Sequence, residues 1–558
     1  ARARIWLFSR RGAGKLRAMS TGLPTRKHTR RFSLLKPLRL LSALVFFGGL
    51  SAALCGLGWL PAPLARLLAS LQYGWKTAAT DALHPWLPAL FLFPALLLLA
   101  LLAGRVFCSA MCPLGIWQDI VRRAAMLLKR RRKTPGGGLS PEWRRARLAV
   151  LCAVVFSMAA GWGAWAMSVL SPFSLFGRAM SALGRPAAGV ANNLVARIGE
   201  ARGWWSIYTR EGVPAELWVA AVAALTVLVI SLMAFRRGRL WCNTLCPVGT
   251  LLGCVSRRAA LRLSINTANC VNCGDCALSC KAGCIDLRRH TVDASRCVAC
   301  YDCLQACEHN AIRLGWAWRR QAAAPPAGGI SQQPRRQFLQ TTAALAASAA
   351  TGLAAGKLLA PPAAAADAPA GGVCPPGAGS LRRFLDICTG CSLCVSECPG
   401  KVLQISLFAY GSPRGMLKPR LDFASGFCTY DCVRCGEVCP TGAIRKLPLE
   451  DKKLAQVGIA HFARERCVVV TNGSECGACG EHCPTRAIEM ALYSPRKGLV
   501  LSIPKIAPEL CIGCGGCEYV CPVTPDKAIQ VRPLAVHGRA EPFREKPLAP
   551  KGDAGFAF

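Results

Sequence analysis

The sequence is poor in aromatic and in acidic residues. Phe, Trp and Tyr make up 7% of the 558 residues, and this scarcity argues against a platform that stacks nucleic-acid bases. Asp and Glu number 29 against 69 Lys and Arg, which gives a formal net charge of +40. The basic residues gather beside apolar runs, a pattern that fits anionic lipid better than nucleic acid. We therefore expect membrane lipid, and no nucleic acid, as a partner.

Four apolar runs are long enough to cross a bilayer as helices, which takes about 20 residues each. The predicted spans are Pro37–Leu57, Trp86–Ala103, Arg147–Leu170 and Glu216–Ala234. Basic residues crowd the N-terminal segment, the loop 104–147 and the segment after the fourth run, so these parts are expected in the cytoplasm. Buried helices of a soluble core are the alternative, but such runs with basic flanks seldom occur four times in soluble chains.

A fifth helix is predicted at 334–362, after a linker at 319–333 that is rich in Ala, Pro and Gly. Arg335 and Arg336, followed by Phe338 and a mildly apolar, alanine-rich run, resemble a twin-arginine export signal. A flexible linker is the alternative interpretation. If the signal operates, the residues after about Gly371 are exported as a folded domain.

Cysteine is abundant, with 33 residues. Two sets in the segment 263–318 have the spacing C-x2-C-x2-C-x3-C, which is that of bacterial ferredoxins with two [4Fe–4S] clusters. In such proteins the fourth cysteine of each set binds the other cluster, so Cys280 should join the second set and Cys307 the first. The candidate ligands are Cys270, Cys273, Cys276, Cys280, Cys297, Cys300, Cys303 and Cys307.

Four further sets in the segment 371–535 each end in Cys-Pro and predict four more clusters, six in all. Structural zinc sites usually separate two C-x2-C pairs by a dozen or more residues and do not use triplets, so zinc and disulfides are disfavoured. The candidate ligands are Cys388, Cys391, Cys394, Cys398, Cys428, Cys432, Cys435, Cys439, Cys467, Cys476, Cys479, Cys483, Cys511, Cys514, Cys517 and Cys521.

A twelve-residue motif occurs twice, as GRVFCSAMCPLG at 104–115 and as GRLWCNTLCPVG at 238–249. Each copy follows two apolar runs, which predicts a tandem repeat whose axis, along the membrane normal, brings the motifs together. A further metal or redox centre is one interpretation, although C-x3-C alone is a weak metal signature. The alternative is that the Cys-Pro turns only cap helices. The candidate metal ligands are Cys108, Cys112, Cys242 and Cys246.

Five cysteines belong to neither group: Cys55, Cys152, Cys254, Cys284 and Cys374. The first two lie in apolar runs, where cysteine acts as a small core residue. Cys284 follows a complete set, at a position where ferredoxins commonly have alanine.

The helices, the two C-x3-C-P motifs and the ferredoxin that follows them resemble the NapH-type membrane subunit that serves periplasmic nitrate reductase. The wider group includes the nitrous-oxide-reductase accessory proteins, but no flavin-attachment domain is visible here. The segment from Arg335 to about Arg532 resembles the NapG/MauM-type exported ferredoxin, and PPGAGSLRRFLDICTGCSLCVSECP is similar to the opening of that family. The chain thus resembles a fusion of the two.

This resemblance implies a quinol dehydrogenase of the bacterial inner membrane, with one ferredoxin domain in the cytoplasm and one in the periplasm. The implied partners are menaquinone or ubiquinone and a periplasmic reductase or cytochrome subunit. It also implies a nested pairing in the exported domain. Cys521 would complete the first set, Cys398 would complete the last, and the middle sets would exchange Cys439 and Cys483. A redox assembly or regulatory factor for a metalloenzyme is the alternative function.

The expected fold is an α-helical membrane domain at 36–262, of four helices in two repeats plus a fifth anchor helix, with two α+β bacterial-ferredoxin-type domains. The two ferredoxin-type domains are expected at 263–318 and 371–535. A basic segment, 1–35, precedes the membrane domain, and a tail, 536–558, follows the second ferredoxin-type domain. Quinol oxidation releases protons, so a base is expected near the outer membrane edge, and the candidates are Asp81 and His84. About 30 Å of hydrocarbon would separate two clusters from the other four.

Overall fold

The structure is a computed structural model that describes residues 34–57, 61–73, 86–129, 143–204, 207–209, 212, 215–317, 333–358, 371–496 and 499–543. The candidate bases Asp81 and His84 lie outside the described residues, as do the side chains of Arg335, Arg336 and Phe338.

The first part of the chain is a helical domain. Two of its described helices, α1 and α10, are long and apolar enough to cross a membrane. The helices are α1 Leu35–Leu54, α2 Ala62–Tyr73, α3 Trp86–Ala103, α4 Val106–Ala110, α5 Pro113–Lys129, α6 Arg144–Ala159, α7 Gly163–Leu170, α8 Pro172–Ala179, α9 Arg185–Ala201, α10 Leu217–Arg237, α11 Leu240–Thr244 and α12 Pro247–Ser256, with a π-helical turn at Met180–Gly184.

The predicted third span, Arg147–Leu170, is wrong as a single helix. The chain leaves α6 at Ala160 and turns through Gly161, whose φ of 78° is a left-handed conformation that glycine adopts without steric cost. It then forms α7, and Pro172 begins α8, a position that proline favours. All eight residues of α8 are buried, so the connection after the third apolar run contains a helix inside the domain.

The two copies of the repeated motif interlock. Each follows a long helix: α3 leads to α4 and α5, and α10 leads to α11 and α12. The long helix of each copy packs against the helix that follows the other copy's motif, since α3 contacts α12 and α10 contacts α5. The two motifs therefore meet at the centre of one buried cluster, which includes Cys108, Cys112 and Cys246.

The first ferredoxin module follows the helical domain. Its antiparallel strand pairs are β1 with β4 and β2 with β3, and a short helix follows each cysteine loop. The elements are β1 Leu261–Ile265, α13 Asp275–Ser279, β2 Ile285–Asp286, β3 Thr291–Val292, α14 Asp302–Ala306 and β4 Ile312–Trp316.

A single helix, α15 (Gln333–Leu358), leads from the first module towards the second and packs along α6. A Cβ atom at Gly352 would lie 2.6 Å from the carbonyl oxygen of Phe156, and one at Gly356 would lie 3.1 Å from the Cα of Ala160. Two glycines four residues apart thus let the backbones of the helices approach closely. A helix is thus present where the fifth helix was predicted, over Gln333–Leu358, but it is not one of the two described helices apolar enough to cross a membrane.

The second ferredoxin module has two halves, each with short helices beside its cysteine loops. The first half contains α16 Leu381–Ile387, α17 Leu393–Ser396, β5 Leu403–Ser406, β6 Lys418–Leu421 and α18 Arg434–Val438. The second contains α19 Leu449–Leu454, β7 Ala455–Phe462, α20 Val468–Thr471, α21 Ala478–Glu481, β8 Ile488–Arg496, β9 Leu499–Ile506, α22 Gly516–Val520 and β10 Ile529–Arg539. The antiparallel pairs are β5 with β6, β7 with β10 and β8 with β9.

The two modules attach to opposite ends of α1. At its N-terminal end the Nζ atom of Lys36 lies 3.1 Å from the Oδ1 atom of Asp302, in the first module. At its C-terminal end the carbonyl oxygen of Leu54 accepts a hydrogen bond of 2.6 Å from the hydroxyl of Ser396, in the second module. A 20-residue helix is about 30 Å long, so the modules lie at the two ends of the helical domain.

Candidate iron–sulfur sites

The first module gathers its cysteines around two cavities. One cavity, which we name site 1, is lined by Cys270, Cys273, Cys276 and Cys307. The other, site 2, is lined by Cys280, Cys297, Cys300 and Cys303, together with Cys284. The structure therefore brings the fourth cysteine of each set to the other set.

Local backbone geometry shapes these cysteine loops. Gly274 and Tyr301 have φ values of 87° and 60° immediately before α13 and α14. These left-handed residues turn each loop back, so that three closely spaced cysteines face one cavity. At site 1 the amide of Ala311 donates a hydrogen bond of 3.3 Å to the sulfur of Cys307, a contact of the kind that tunes cluster potentials.

The second module groups its sixteen cysteines in four sites. Cys388, Cys391 and Cys394 lie near Cys439 and form site 3. Cys428, Cys432 and Cys435 lie near Cys398 and form site 4. Two further cavities give site 5, lined by Cys483, Cys511, Cys514 and Cys517, and site 6, lined by Cys467, Cys476, Cys479 and Cys521.

The nested pairing implied by the family resemblance is therefore wrong. Neighbouring sets exchange their fourth cysteines: Cys398 and Cys439 change places in the first half, and Cys483 and Cys521 change places in the second. Each half folds with its own strand pairs, β5 with β6 and β8 with β9, and so closes two sites by itself. The second module thus consists of two two-site units.

The donor sets fit [4Fe–4S] clusters better than single metal ions. Among the described residues no three His, Cys, Asp or Glu side chains converge closely enough to hold one ion. A cubane instead takes each thiolate on a different iron, which spreads the four sulfurs.

Burial favours the protonated thiol at some of these cysteines when no metal is bound. It raises the pKa of Cys300 to about 12 and, against the opposing charge of Lys452, raises the pKa of Cys428 to about 11. Because iron binds the thiolate, cluster assembly must release these protons. Beside site 3 the buried Lys418 donates a hydrogen bond to the carbonyl of Leu385, and burial lowers the pKa of its amine to about 8.

The structure also brings together the four cysteines of the repeated motif. The sulfur of Cys112 lies within electrostatic range of those of Cys108, Cys242 and Cys246, and all four residues are buried. We name this group the motif site. The amide of Gly249 donates to the sulfur of Cys246 at 3.3 Å, and the Nε2 atom of Gln118 lies 3.3 Å from the sulfur of Cys242.

Each motif arginine reaches into the other copy of the motif. Arg105 donates to Asn243 at 2.8 Å and to the carbonyl oxygen of Cys242 at 3.1 Å. Arg239 donates to the carbonyl oxygen of Cys108 at 2.5 Å. Both arginine side chains are 0% exposed. These reciprocal contacts lock the two motifs around the four sulfurs.

The motif site is suited to an anionic occupant. The Nε atom of Arg105 and the Nη2 atom of Arg239 are buried N–H groups without a hydrogen-bond partner among the described residues. A buried arginine with an unsatisfied donor is costly unless an acceptor is present. A cluster held by four thiolates carries net negative charge and would supply that acceptor, so the residues fit one more cluster here.

A charged network joins the helical domain to the first module. Asp119 accepts from Arg39 at 2.5 Å and from Arg239 at 2.8 Å, and it lies 3.5 Å from the Nζ atom of Lys281. Lys281 also lies 2.9 Å from Asp302. Sequence reasoning missed this role. The available signal was a lysine directly after Cys280, where ferredoxins usually have proline.

The sites form a row of two groups through the molecule: sites 1 and 2 with the motif site, and sites 3 to 6. Cys303 of site 2 interacts with Cys276 of site 1, and Arg105 interacts with both Cys297 of site 2 and Cys108 of the motif site. In the second module, Cys394 of site 3 faces Cys435 of site 4. The amide of Cys428 (site 4) then donates to the carbonyl of Cys514 (site 5) at 2.9 Å, and Cys517 of site 5 interacts with Cys479 of site 6.

Helix α8 fills the gap between the motif site and site 3. Its Leu175 belongs to the buried cluster that contains Cys108, Cys112 and Cys246. Its Phe173 and Phe176 belong to the cluster that contains Cys388 and Cys394. A Cβ atom at Gly177 would overlap the carbonyl oxygen of Cys391, so the loop of site 3 rests directly on this helix.

Comparison with protein families matches the cysteine-bearing segments. Residues 85–135 and 218–266, which contain the two motifs, match a family described as "4Fe-4S binding domain". Residues 387–470 and 474–524 match a "4Fe-4S dicluster domain", and residues 290–313 match another "4Fe-4S binding domain". Two dicluster matches correspond in number to the two units of the second module, although Cys467 of site 6 lies in the first match.

Curated relatives are ferredoxin-type proteins. The chain is 32% identical over 161 residues to the methylamine utilization ferredoxin-type protein MauM of Methylobacillus flagellatus, a match that covers 28% of this chain and 67% of MauM. It is 30% identical over 167 residues to the ferredoxin-type protein NapG of Escherichia coli, covering 29% of this chain and 71% of NapG. It is 30% identical over 217 residues to the methylamine utilization ferredoxin-type protein MauN of Paracoccus denitrificans, covering 38% of this chain and 59% of MauN. No solved structure matches the chain.

Proposed function

The chain belongs to the family of ferredoxin-type proteins that includes MauM and NapG, and we propose that it carries electrons across a membrane between a quinol and a periplasmic acceptor. In this proposal six [4Fe–4S] clusters occupy sites 1 to 6 and a seventh metal centre occupies the motif site. The chain is then a fusion of a NapH-type membrane part with a NapG/MauM-type exported ferredoxin.

The row of sites, which runs from one end of α1 to the other, carries this proposal. Bound clusters supply reversible one-electron transfer. The chain's own residues hold them in line: the two motif arginines flank the motif site, and α8 separates it from site 3. A helix with its side chains is about 10–12 Å across, so one helix is a shorter interval than the roughly 30 Å of a bilayer core. The distance of about 30 Å expected between the clusters of the two ferredoxin modules is thereby divided into shorter steps.

The membrane placement is supported by helix length and packing. α1 and α10 can each cross a bilayer, and α15, with 26 residues, is about 39 Å long. With the first module on the cytoplasmic side, as the basic flanks indicate, α15 returns the chain to the periplasmic side, where the second module lies. A twin-arginine signal at the start of α15 would serve that export.

Quinol oxidation is the finer part of the proposal. A quinol gives up two electrons and two protons, so its site needs a proton acceptor. Asp81 and His84 precede α3 and remain the candidates for this role. Menaquinone and ubiquinone are the candidate substrates, and a reductase or cytochrome subunit that docks near site 6 is the candidate acceptor.

The experiment uses the full chain, purified without oxygen in detergent or nanodiscs. Six clusters correspond to about 24 iron atoms per chain and seven to about 28. We expect menaquinol to reduce the clusters, as followed by EPR spectroscopy. A Gly177→Leu substitution should displace the site 3 loop from α8 and slow the reduction of sites on one side at least tenfold, with the iron content unchanged. Gly189→Ala is the control, because a Cβ atom there meets no atom of the described residues within 4 Å.

Loss of the electron-transfer role would be visible in two ways. An iron-free protein from an oxygen-free preparation would contradict the cluster assignment. If the protein contains iron but a quinol does not reduce its clusters and a periplasmic acceptor does not oxidise them, the result would favour the alternative function, a redox assembly factor. A deletion strain would then lack the mature form of the partner metalloenzyme.

A further inference from the structure

Site 2 contains five cysteines rather than four. The sulfur of Cys284 lies 3.5 Å from the sulfur of Cys280, and it is also within hydrogen-bonding reach of Cys297. The residue is 2% exposed and lines the same cavity as the four ligands. Its thiol therefore faces the place that the cluster would occupy.

Three of the other five ferredoxin sites have alanine at the position that matches Cys284, and the remaining two have Val402 (site 4) and Pro525 (site 6). Counting four residues on from the fourth cysteine gives Ala311 at site 1, Ala443 at site 3 and Ala487 at site 5. All three alanines are 1–2% exposed, and Ala311 and Ala487 line their cavities. The amides of these two donate to the sulfurs of Cys307 and Cys483 at 3.3 and 3.2 Å, as the amide of Cys284 does to Cys280. Position 284 thus keeps the backbone role and adds a thiol.

We propose that Cys284 is a reserve ligand of site 2, able to replace Cys280 on the same iron. In the exchange, the iron–sulfur bond to Cys280 breaks and a bond to the sulfur of Cys284 forms. The proton of the Cys284 thiol moves to the sulfur of Cys280 across the 3.5 Å between them. The number of thiolate ligands and the electron count stay the same, so no oxidant or reductant is needed.

A purely structural role explains the contacts less well. A buried cysteine can act as a small core residue, and alanine fills this role at the three matching positions. A core methyl group needs apolar neighbours, whereas the thiol of Cys284 lies beside two ligand sulfurs. Replacement of Cys280 also needs little movement, because the two sulfurs are only 3.5 Å apart.

The location of site 2 explains why a reserve ligand such as Cys284 would be useful there. Site 2 lies between site 1 and the motif site, so loss of its cluster would isolate site 1 from the rest of the row. A second thiolate for the same iron keeps the cluster in place when Cys280 is oxidised or alkylated. This consequence rests on the proposed electron-transfer function, whereas the ligand exchange requires only that site 2 holds a cluster.

The test measures iron and acid-labile sulfide in full-length variants purified without oxygen, together with the EPR spectrum after reduction. Cys280→Ala should keep the iron content of the parent protein, with a shifted EPR signal for one cluster. Cys280→Ala combined with Cys284→Ala should lose about one to four iron atoms per chain. Cys307→Ala is the matched control, because Ala311 offers no substitute thiol, and it should lose iron to a similar extent.

A variant that regains iron would show that the loss in Cys307→Ala is not caused by misfolding. Adding Ala311→Cys to Cys307→Ala should restore the lost iron at site 1, by giving it the arrangement of site 2. The proposal is overturned if Cys280→Ala loses as much iron as the double variant, or if the double variant keeps all of it. An iron-free parent protein would overturn the cluster assignment itself, so the two failures are distinguishable.

Discussion

Asp119 lies among three buried cations where the helical domain meets the first ferredoxin module. Its carboxylate is 8% exposed and contacts Arg39, Arg239 and Lys281 at 2.5, 2.8 and 3.5 Å. These residues belong to α1, to the second motif and to the first module. One carboxylate therefore compensates cations from three parts of the structure, and its removal tests whether charge holds these parts together.

The substitution Asp119→Asn removes the charge and keeps the size of the side chain. Breaking a buried ion pair by removing one partner costs about 3–5 kcal/mol. Coulomb's law gives the same order, about 4 kcal/mol for charges 4 Å apart at an effective dielectric constant of 20. Because Asp302 still pairs with Lys281, part of the network survives. We therefore expect a loss of about 3 kcal/mol at the interface, towards the lower end of that range.

The assay is hydrogen exchange of the first module's amides in the full-length protein, with thermal loss of the cluster absorbance as a second readout. Asp119→Asn should raise the exchange rates of interface amides about a hundredfold, which corresponds to about 3 kcal/mol. Asp451→Asn is the control. Its partner Arg539 lies at 3.1 Å, but the two side chains are 45% and 69% exposed, so the expected cost is below about 1 kcal/mol. Equal effects of the two substitutions would refute the reasoning.

Two further predictions concern α15 and the second module. Gly352→Leu should push α15 away from Phe156 and increase proteolysis between the modules. Gly48→Leu should not, because a Cβ atom at Gly48 meets nothing within 4 Å in the part of the chain that the structure describes. Burial lowers the pKa of His537 to about 4, from 6.5 in the unfolded chain. Between these two pH values the imidazole is protonated in the unfolded state and neutral in the folded state. Stability should fall as pH falls from about 6.5 to 4, and His537→Gln should abolish that component in thermal unfolding. A pH dependence that persists in the variant would contradict this assignment.

The cysteine spacing predicted the grouping at sites 1 and 2 because the chemistry is local. Three ligands on one loop can reach only one cluster, and the short segment between the two sets brings Cys307 back to the first loop. The same argument does not extend to the second module. There the fourth cysteines of four sets are free to pair in several ways without violating any spacing, and the choice depends on which strands pack together.

The sequence contains helix-ending residues in and after the third apolar run, which a hydropathy average does not take into account. Gly161 and Gly163 flank Trp162 within the predicted span, and Ser171-Pro172 follows it. Each is a common place for a helix to end or begin. Apolar composition indicated only that the segment is buried. Within the predicted span, Ala164, Ala166 and Met167 of α7 are buried by other parts of the protein, and this burial satisfies the composition as well as lipid does.

The repeated Gly-Arg before each cysteine motif has a physical reason that neither copy shows alone. Gly104 and Gly238 have φ values of 76° and 67°, a left-handed conformation that ends each long helix sharply. The turn sends the following arginine across the interface to the backbone of the other motif, as the contacts from Arg105 to Cys242 and from Arg239 to Cys108 show. A single arginine could have capped its own helix, whereas two reciprocal ones require both motifs to be in register. Each still has an N–H group without an acceptor among the described residues, so the same pair that aligns the four sulfurs also leaves two unused hydrogen-bond donors.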